Sequence, residues 1–189
     1  MHIFVEDMIA NMMKRILLIL MCGFLLTGCA ALKQKTTAMK QKQTEARLNK
    51  KANALSDLKG ATVEPVTQAD GSSALKVTFD SGILFGFNET ELSEEAKKSI
   101  DRLVKSISDM PDSRIRVQGH TDIVGSAEVN QAKSTERARE VARYLEEKGI
   151  ASSRITADGL SFNVPVADNS TEEGRAKNRR VEIYVIPAK

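Results

Sequence analysis

The sequence predicts an α/β (α+β) sandwich, a layer of helices on one sheet, and three observations carry that prediction. In the last segment Val181, Ile183 and Val185 alternate with Glu182, Tyr184 and Ile186, the period of a strand. Two other stretches repeat at helical spacing: Ala96, Ile100, Leu103, Val104 and Ile107, then Ala138, Val141, Ala142 and Leu145. Segments of the two kinds alternate along the chain, which is the mark of helices packed on a sheet. At 189 residues, 41% hydrophobic and 28% charged, the chain has globular composition and room for one domain of roughly 100–150 residues plus appendages.

The elements follow in order. Lys14-Arg15 precede an apolar run over 16–26 and then small residues, the pattern of a secretory signal too short to span a membrane by itself. Glu6 and Asp7 sit badly before such a basic region, which points to Met12 or Met13 as the true start. The run ends Leu26-Thr27-Gly28-Cys29, which resembles the lipobox of bacterial lipoproteins. That resemblance implies removal of residues 1–28, acylation of the Cys29 thiol and, with Ala30 next, an outer-membrane address. Residues 30–60 carry eight basic against two acidic side chains, and residues 61–189 carry 18 against 21. Residues 29–60 therefore read as the lipidated Cys and a basic tether, with Leu48, Ala52 and Leu55 as a short apolar seam, and residues 61–189 as the folded domain.

Within the domain, 61–67 and 75–79 flank Gln-Ala-Asp-Gly-Ser-Ser and read as a hairpin. Ser93 followed by Glu94-Glu95 is an N-cap with an acidic first turn, and Pro111 stops that helix. Residues 115–119 form a short strand with Arg114, Arg116 and Gln118 on one face. A helix over 127–148 ends at Gly149, and 154–160 and 181–186 are strands.

Three polar clusters stand outside the core pattern: 83–88 with Asn88, Gly119-His120-Thr121-Asp122 running on to Asn130 and Arg137, and 165–183 with Asn178-Arg179-Arg180. Asp122 falls just beyond a strand, on a loop, where polar groups project from an α/β sheet. Arg137 lies fifteen residues on, in the next helix. Such a carboxylate and guanidinium can pair with each other, or hold a zwitterion between them, Arg137 gripping a carboxylate and Asp122 an ammonium. Arg179 and Arg180 can close the last helix–strand corner or contact an anionic glycan.

Gly-His-Thr-Asp, Asn130, Arg137-Ala138, Tyr144-Leu145 and Gly174-Arg175-Ala176 through Asn178-Arg179-Arg180-Val181-Glu182-Ile183 resemble the OmpA-like peptidoglycan-binding domain. The resemblance covers about residues 80–186. It implies a βαβαβ domain with helices on a mixed sheet. It also implies that Asp122 and Arg137 bind the zwitterionic end of diaminopimelate in the peptide stem, with Asn88, Asn130 and Thr121 lining the site. The chain departs from the family pattern at Lys133 and at Gly159-Leu160-Ser161-Phe162, where the family often has Gly-x-Gly-Glu. The implied protein is a lipid-anchored outer-membrane tether whose domain faces the periplasm. The alternative is an envelope signalling lipoprotein with a protein partner.

Other classes are disfavoured. Two His, one of them His2 in the leader, fall short of the three or four ligands of a zinc site, so no metal and no cofactor is expected. His120 reads instead as hydrogen-bonded at the sheet edge. Ser134 and Ser161 lack a Gly-x-Ser-x-Gly elbow, and no enzyme is expected. No Trp and two Tyr argue against a base-stacking nucleic-acid platform, as does the expectation of export.

Overall fold

The structure, a computed structural model, describes residues 36–86 and 91–188. The signal segment, Cys29 and Asn88 lie outside the described residues. The chain divides into two compact units, 1–43 and 44–189. In the first, residues 36–43 are helical and exposed.

The second unit opens with helix α1 (44–54). Strands β1 (Ala61–Thr67) and β2 (Ser73–Asp80) follow, then a helical turn α2 (Ser81–Leu84) and helix α3 (Glu94–Ile107). Strand β3 (Arg114–Gly119), helix α4 (Ala127–Glu147), strand β4 (Ile155–Gly159), helix α5 (Glu172–Asn178) and strand β5 (Arg180–Ile186) complete it. The five strands form one mixed sheet in the order β1-β2-β5-β3-β4, antiparallel except for β3 with β4. That parallel pair needs a crossover, and α4 provides it. Pro65 sits in β1, an edge strand, where a missing N–H is tolerated.

One face of the sheet is apolar: Leu75, Val77 and Phe79 of β2, Val181, Ile183 and Val185 of β5, and Ile115 and Val117 of β3 are all buried. Ile100 and Leu103 of α3 and Val141 and Leu145 of α4 join them in a single core. The helix starts follow the expected chemistry, since Ser93 Oγ accepts from Ala96 N–H at 3.1 Å and its own hydroxyl donates to the Ile83 carbonyl.

Two elements differ from the sequence reading. The core begins well before Ala61: Leu48, Ala52, Leu55 and Leu58 are all at most 6% exposed and belong to it. Basic residues that marked this stretch as a tether are partly spent in fixing it, with Lys51 Nζ 2.6 Å and Arg47 2.9 Å from the Asp109 carboxylate, and its Asp57 lies 2.7 Å from Arg102 of α3. The second is α5, a seven-residue helix capped by Thr171, too short and too polar to show a periodic stripe.

Replacing Leu55, which is 3% exposed, with Ala is expected to lower unfolding stability by about 2–5 kcal/mol in urea titration. An apolar seam on a free tether would leave the midpoint unchanged.

Candidate functional site

The site is built where β3 and β4 end beneath α4. Gly119 and Gly159 are register partners at those ends. A Cβ at Gly119 would collide with the Ser134 carbonyl, and one at Gly159 with the backbone and hydroxyl of Thr135. The bare glycines let α4 lie directly on the strands. Beyond them Leu160 N–H donates to Gly119 O at 2.8 Å and Thr121 N–H to Ser161 O at 3.0 Å, so the two exits are zipped together. Ser161 N–H in turn donates to Ser134 Oγ at 3.1 Å.

Asp122 is 8% exposed. Its Oδ1 accepts from Val124 N–H at 2.9 Å, folding the loop into a tight turn that delivers the chain to the Ser126 cap of α4. Asn130, one turn into α4, donates to Val124 O at 3.0 Å and holds the loop from the other side. Thr121 is buried with its hydroxyl unpartnered.

Arg137 lies on the buried stripe of α4, continuing Asn130 and Ser134 toward Ala138 and Val141. It is 7% exposed, and its guanidinium sits 5.2 Å above the Phe85 ring. Its Nε is buried without a hydrogen-bond partner, and among the described residues no carboxylate pairs with it. Burial, and then the nearby Arg179 charge, push its pKa down. Of the two arrangements open for Asp122 and Arg137, the direct ion pair does not form. Asp122 Oδ2 instead takes Arg179 at 2.7 Å, and Arg179 also reaches Glu172 at 2.9 Å. The bond to Asp122 raises the Arg179 pKa.

Asp122, Thr121, Asn130, Arg137 and Arg179 thus line one cavity of about 580 Å³, with Phe85 and Glu172 in its wall. Arg179 is the participant sequence reasoning did not assign. Its neighbour Arg180 turns the other way, into a buried cluster where it meets Glu182 at 2.7 Å, with Lys76 at 3.1 Å and the Tyr184 hydroxyl at 2.6 Å. Burial opposes ionisation of Glu182, but the bonds from Tyr184 and Arg180 win and hold its pKa at about 2. His120 lies against this cluster, 1% exposed, 3.8 Å from Glu182, and neither ring nitrogen has a hydrogen-bond partner. That corrects the expectation of a hydrogen-bonded edge histidine: burial, then the Arg180 charge, push its pKa down to about 4 and keep the ring neutral at pH 7.

Residues 84–179 match the OmpA family, and the chain belongs to that family. It is 39% identical over 117 residues to the peptidoglycan-binding protein ArfA of Mycobacterium tuberculosis, covering 62% of this chain and 36% of that one. It is 36% identical over 108 residues to the outer-membrane lipoprotein YfiB of Pseudomonas aeruginosa, covering 57% and 64%. These curated relatives are matched over about a third to two thirds of their own length. Among solved structures, a MotB-like protein from Desulfovibrio vulgaris superposes with a TM-score of 0.66 at 27% identity, covering 82% of this chain and 96% of that one.

Ser161 adopts a left-handed backbone with φ 52° while its hydroxyl is buried and unpartnered. A left-handed conformation costs an L-residue about 1–2 kcal/mol, partly offset in Gly by lost chain entropy. Ser161→Gly is therefore expected to raise stability, by up to about 1 kcal/mol in urea titration. A loss of stability would show that the Ser161 side chain supports the turn.

Proposed function

We propose that this chain is an outer-membrane lipoprotein whose domain holds the peptide stem of peptidoglycan without covalent chemistry, joining membrane to wall. The observation that carries the reading is Arg137. A guanidinium buried to this degree with no carboxylate beside it is costly unless a ligand completes it. The stem's diaminopimelate ends in a free zwitterion of matching chemistry. Its carboxylate is received by Arg137, the cavity's guanidinium that is not already ion-paired to a described carboxylate. Its ammonium joins Asp122, which keeps acceptor capacity beside its bonds to Val124 and Arg179. Thr121 supplies an idle hydroxyl, and Asn130 keeps the loop in place. Asn88 completes the lining by family resemblance. None of these groups is asked to break a bond, so the role is binding.

In the same reading, residues 1–28 are a signal peptide, Cys29 carries the acyl chains, and residues 30–43 form the tether. Several chains at about 0.8 kcal/mol per buried methylene give a stable anchor. The names of the relatives, a peptidoglycan-binding protein and an outer-membrane lipoprotein, support it.

Co-sedimentation of the full chain with purified peptidoglycan, run beside thermal melts, tests the reading. Arg137→Met and Asp122→Ala are each expected to weaken pelleting at least tenfold, since charged hydrogen bonds contribute about 1.5–3 kcal/mol. Arg137→Met should also melt no lower than the parent, because it removes an uncompensated buried charge while keeping the apolar stem over Phe85. Undiminished pelleting of both folded variants would refute the site.

A further inference from the structure

The sheet face opposite the helices holds a second cavity, of about 680 Å³, at the other end of β3 from Asp122. A row of facing residues crosses the sheet there: Glu64, Lys76, Tyr184, Arg116 and Thr156 are successive register partners on β1, β2, β5, β3 and β4. The Tyr184 ring stands between two cations, 5.9 Å from Lys76 Nζ and 4.7 Å from the Arg116 guanidinium. Lys76 lies 3.1 Å from the Glu182 carboxylate, which it shares with Arg180. Arg116 is not neutralised: it donates to the Gln68 side-chain oxygen at 2.6 Å, and its Nε is buried with no partner.

Two further guanidinium groups line the same cavity. Arg154 is anchored on neutral oxygens, the Ser113 carbonyl at 2.8 Å, the Ser113 hydroxyl at 2.9 Å and the Met110 carbonyl at 3.2 Å. Arg114, two residues before Arg116 on the same strand face, is exposed. Among the described residues no carboxylate forms an ion pair with any of the three, and the lining contributes one acid, Asp70, whose Oδ1 accepts from the Ser72 N–H and hydroxyl in the hairpin turn. The lining thus holds four cations, Arg114, Arg116, Arg154 and Lys76, against one carboxylate, Asp70, and positive charge is in excess even with Lys76 beside Glu182. That matches a phosphate monoester, which carries roughly −1.5 to −2 at pH 7 and accepts bidentate guanidinium bonds.

We propose that this face is a binding site for a phosphoryl group, with Arg116 as its floor, Arg154 as a second anchored cation and the exposed Arg114 as the side chain that reaches over the anion. The phosphoryl group can belong to a soluble phosphate ester or to a lipid headgroup. The site is independent of the wall-binding cavity and of any reading of it.

Calorimetric titration of the full chain tests this, at constant ionic strength, with inorganic phosphate, with glucose 6-phosphate, and with vesicles of phosphatidylglycerol against phosphatidylcholine. At least one phosphate probe is expected to bind saturably and to weaken at least tenfold in Arg114→Gln and in Arg116→Gln. Arg114 makes no side-chain bond to the described residues, so its replacement leaves folding intact should Arg116→Gln melt early. A response to the soluble esters assigns a soluble ligand, and a variant-sensitive excess on phosphatidylglycerol assigns a headgroup; both support the site. Absence of binding in every arm, or equal binding by wild type and both variants, overturns it.

Discussion

Helix α4 rests on the ends of β3 and β4 at Gly119 and Gly159, and the placement of the cavity lined by Asp122 and Arg137 follows from that contact. Any side chain at either position would meet the α4 backbone at Ser134 or Thr135, so the helix would have to lift away from the sheet. Its closeness sets the spacing of the site. Asp122 leaves β3 three residues past Gly119, and Arg137 stands less than a turn along the helix from Ser134. Ser134 also ties α4 to the β4 exit through Ser161. The loop carrying Asp122 and the helix carrying Arg137 are thus two parts of one rigid corner, which is what a site for a small zwitterion requires.

The same domain treats buried charge in two ways, and the contrast is informative. Under the sheet, Glu182 is surrounded by Arg180, Lys76 and Tyr184, a cluster whose members satisfy one another and whose disruption would cost about 3–5 kcal/mol. In the cavity, Arg137 has an aromatic face and, among the described residues, no carboxylate within ion-pair distance. A cation over a ring recovers about 0.5–2 kcal/mol, less than a buried charge loses on leaving water. Asp122, meanwhile, is already countered by Arg179. Arg137 therefore favours an anion beside it, while Arg179 holds the Asp122 carboxylate in place.

Much of this was legible in the sequence where local pattern and local structure coincide. The strands of the sheet, α3 and α4 follow from periods of two and 3.6 residues and from Ser or Thr caps, and the Gly-His-Thr-Asp motif marked the loop. What escaped depends on contacts distant in the chain. Arg179 and Asp122 are 57 residues apart, and nothing near Arg179 tells it from Arg180, which faces the other way. Leu48, Ala52 and Leu55 were diluted among Lys, Arg and Asn, so their helix resembled a solvated tether until the turn after α3 supplied Asp109 as a partner. The short α5 carried its signal in Thr171-Glu172-Glu173, the same cap and acidic turn that announces α3, without the length to make it persuasive. His120 has neighbours from β5 rather than from its own loop, and its neutrality is a property of the assembled sheet.

The central claim is that the cavity between Asp122 and Arg137 receives a zwitterion. Titration of the isotopically labelled chain with meso-diaminopimelic acid, followed by amide and Arg side-chain NMR signals, tests it directly. The account predicts saturable shifts centred on Thr121, Asp122, Asn130 and the Arg137 guanidinium, and none of comparable size with pimelic acid, which lacks the amines. Equal responses to the two acids, or shifts that avoid Arg137, would contradict it.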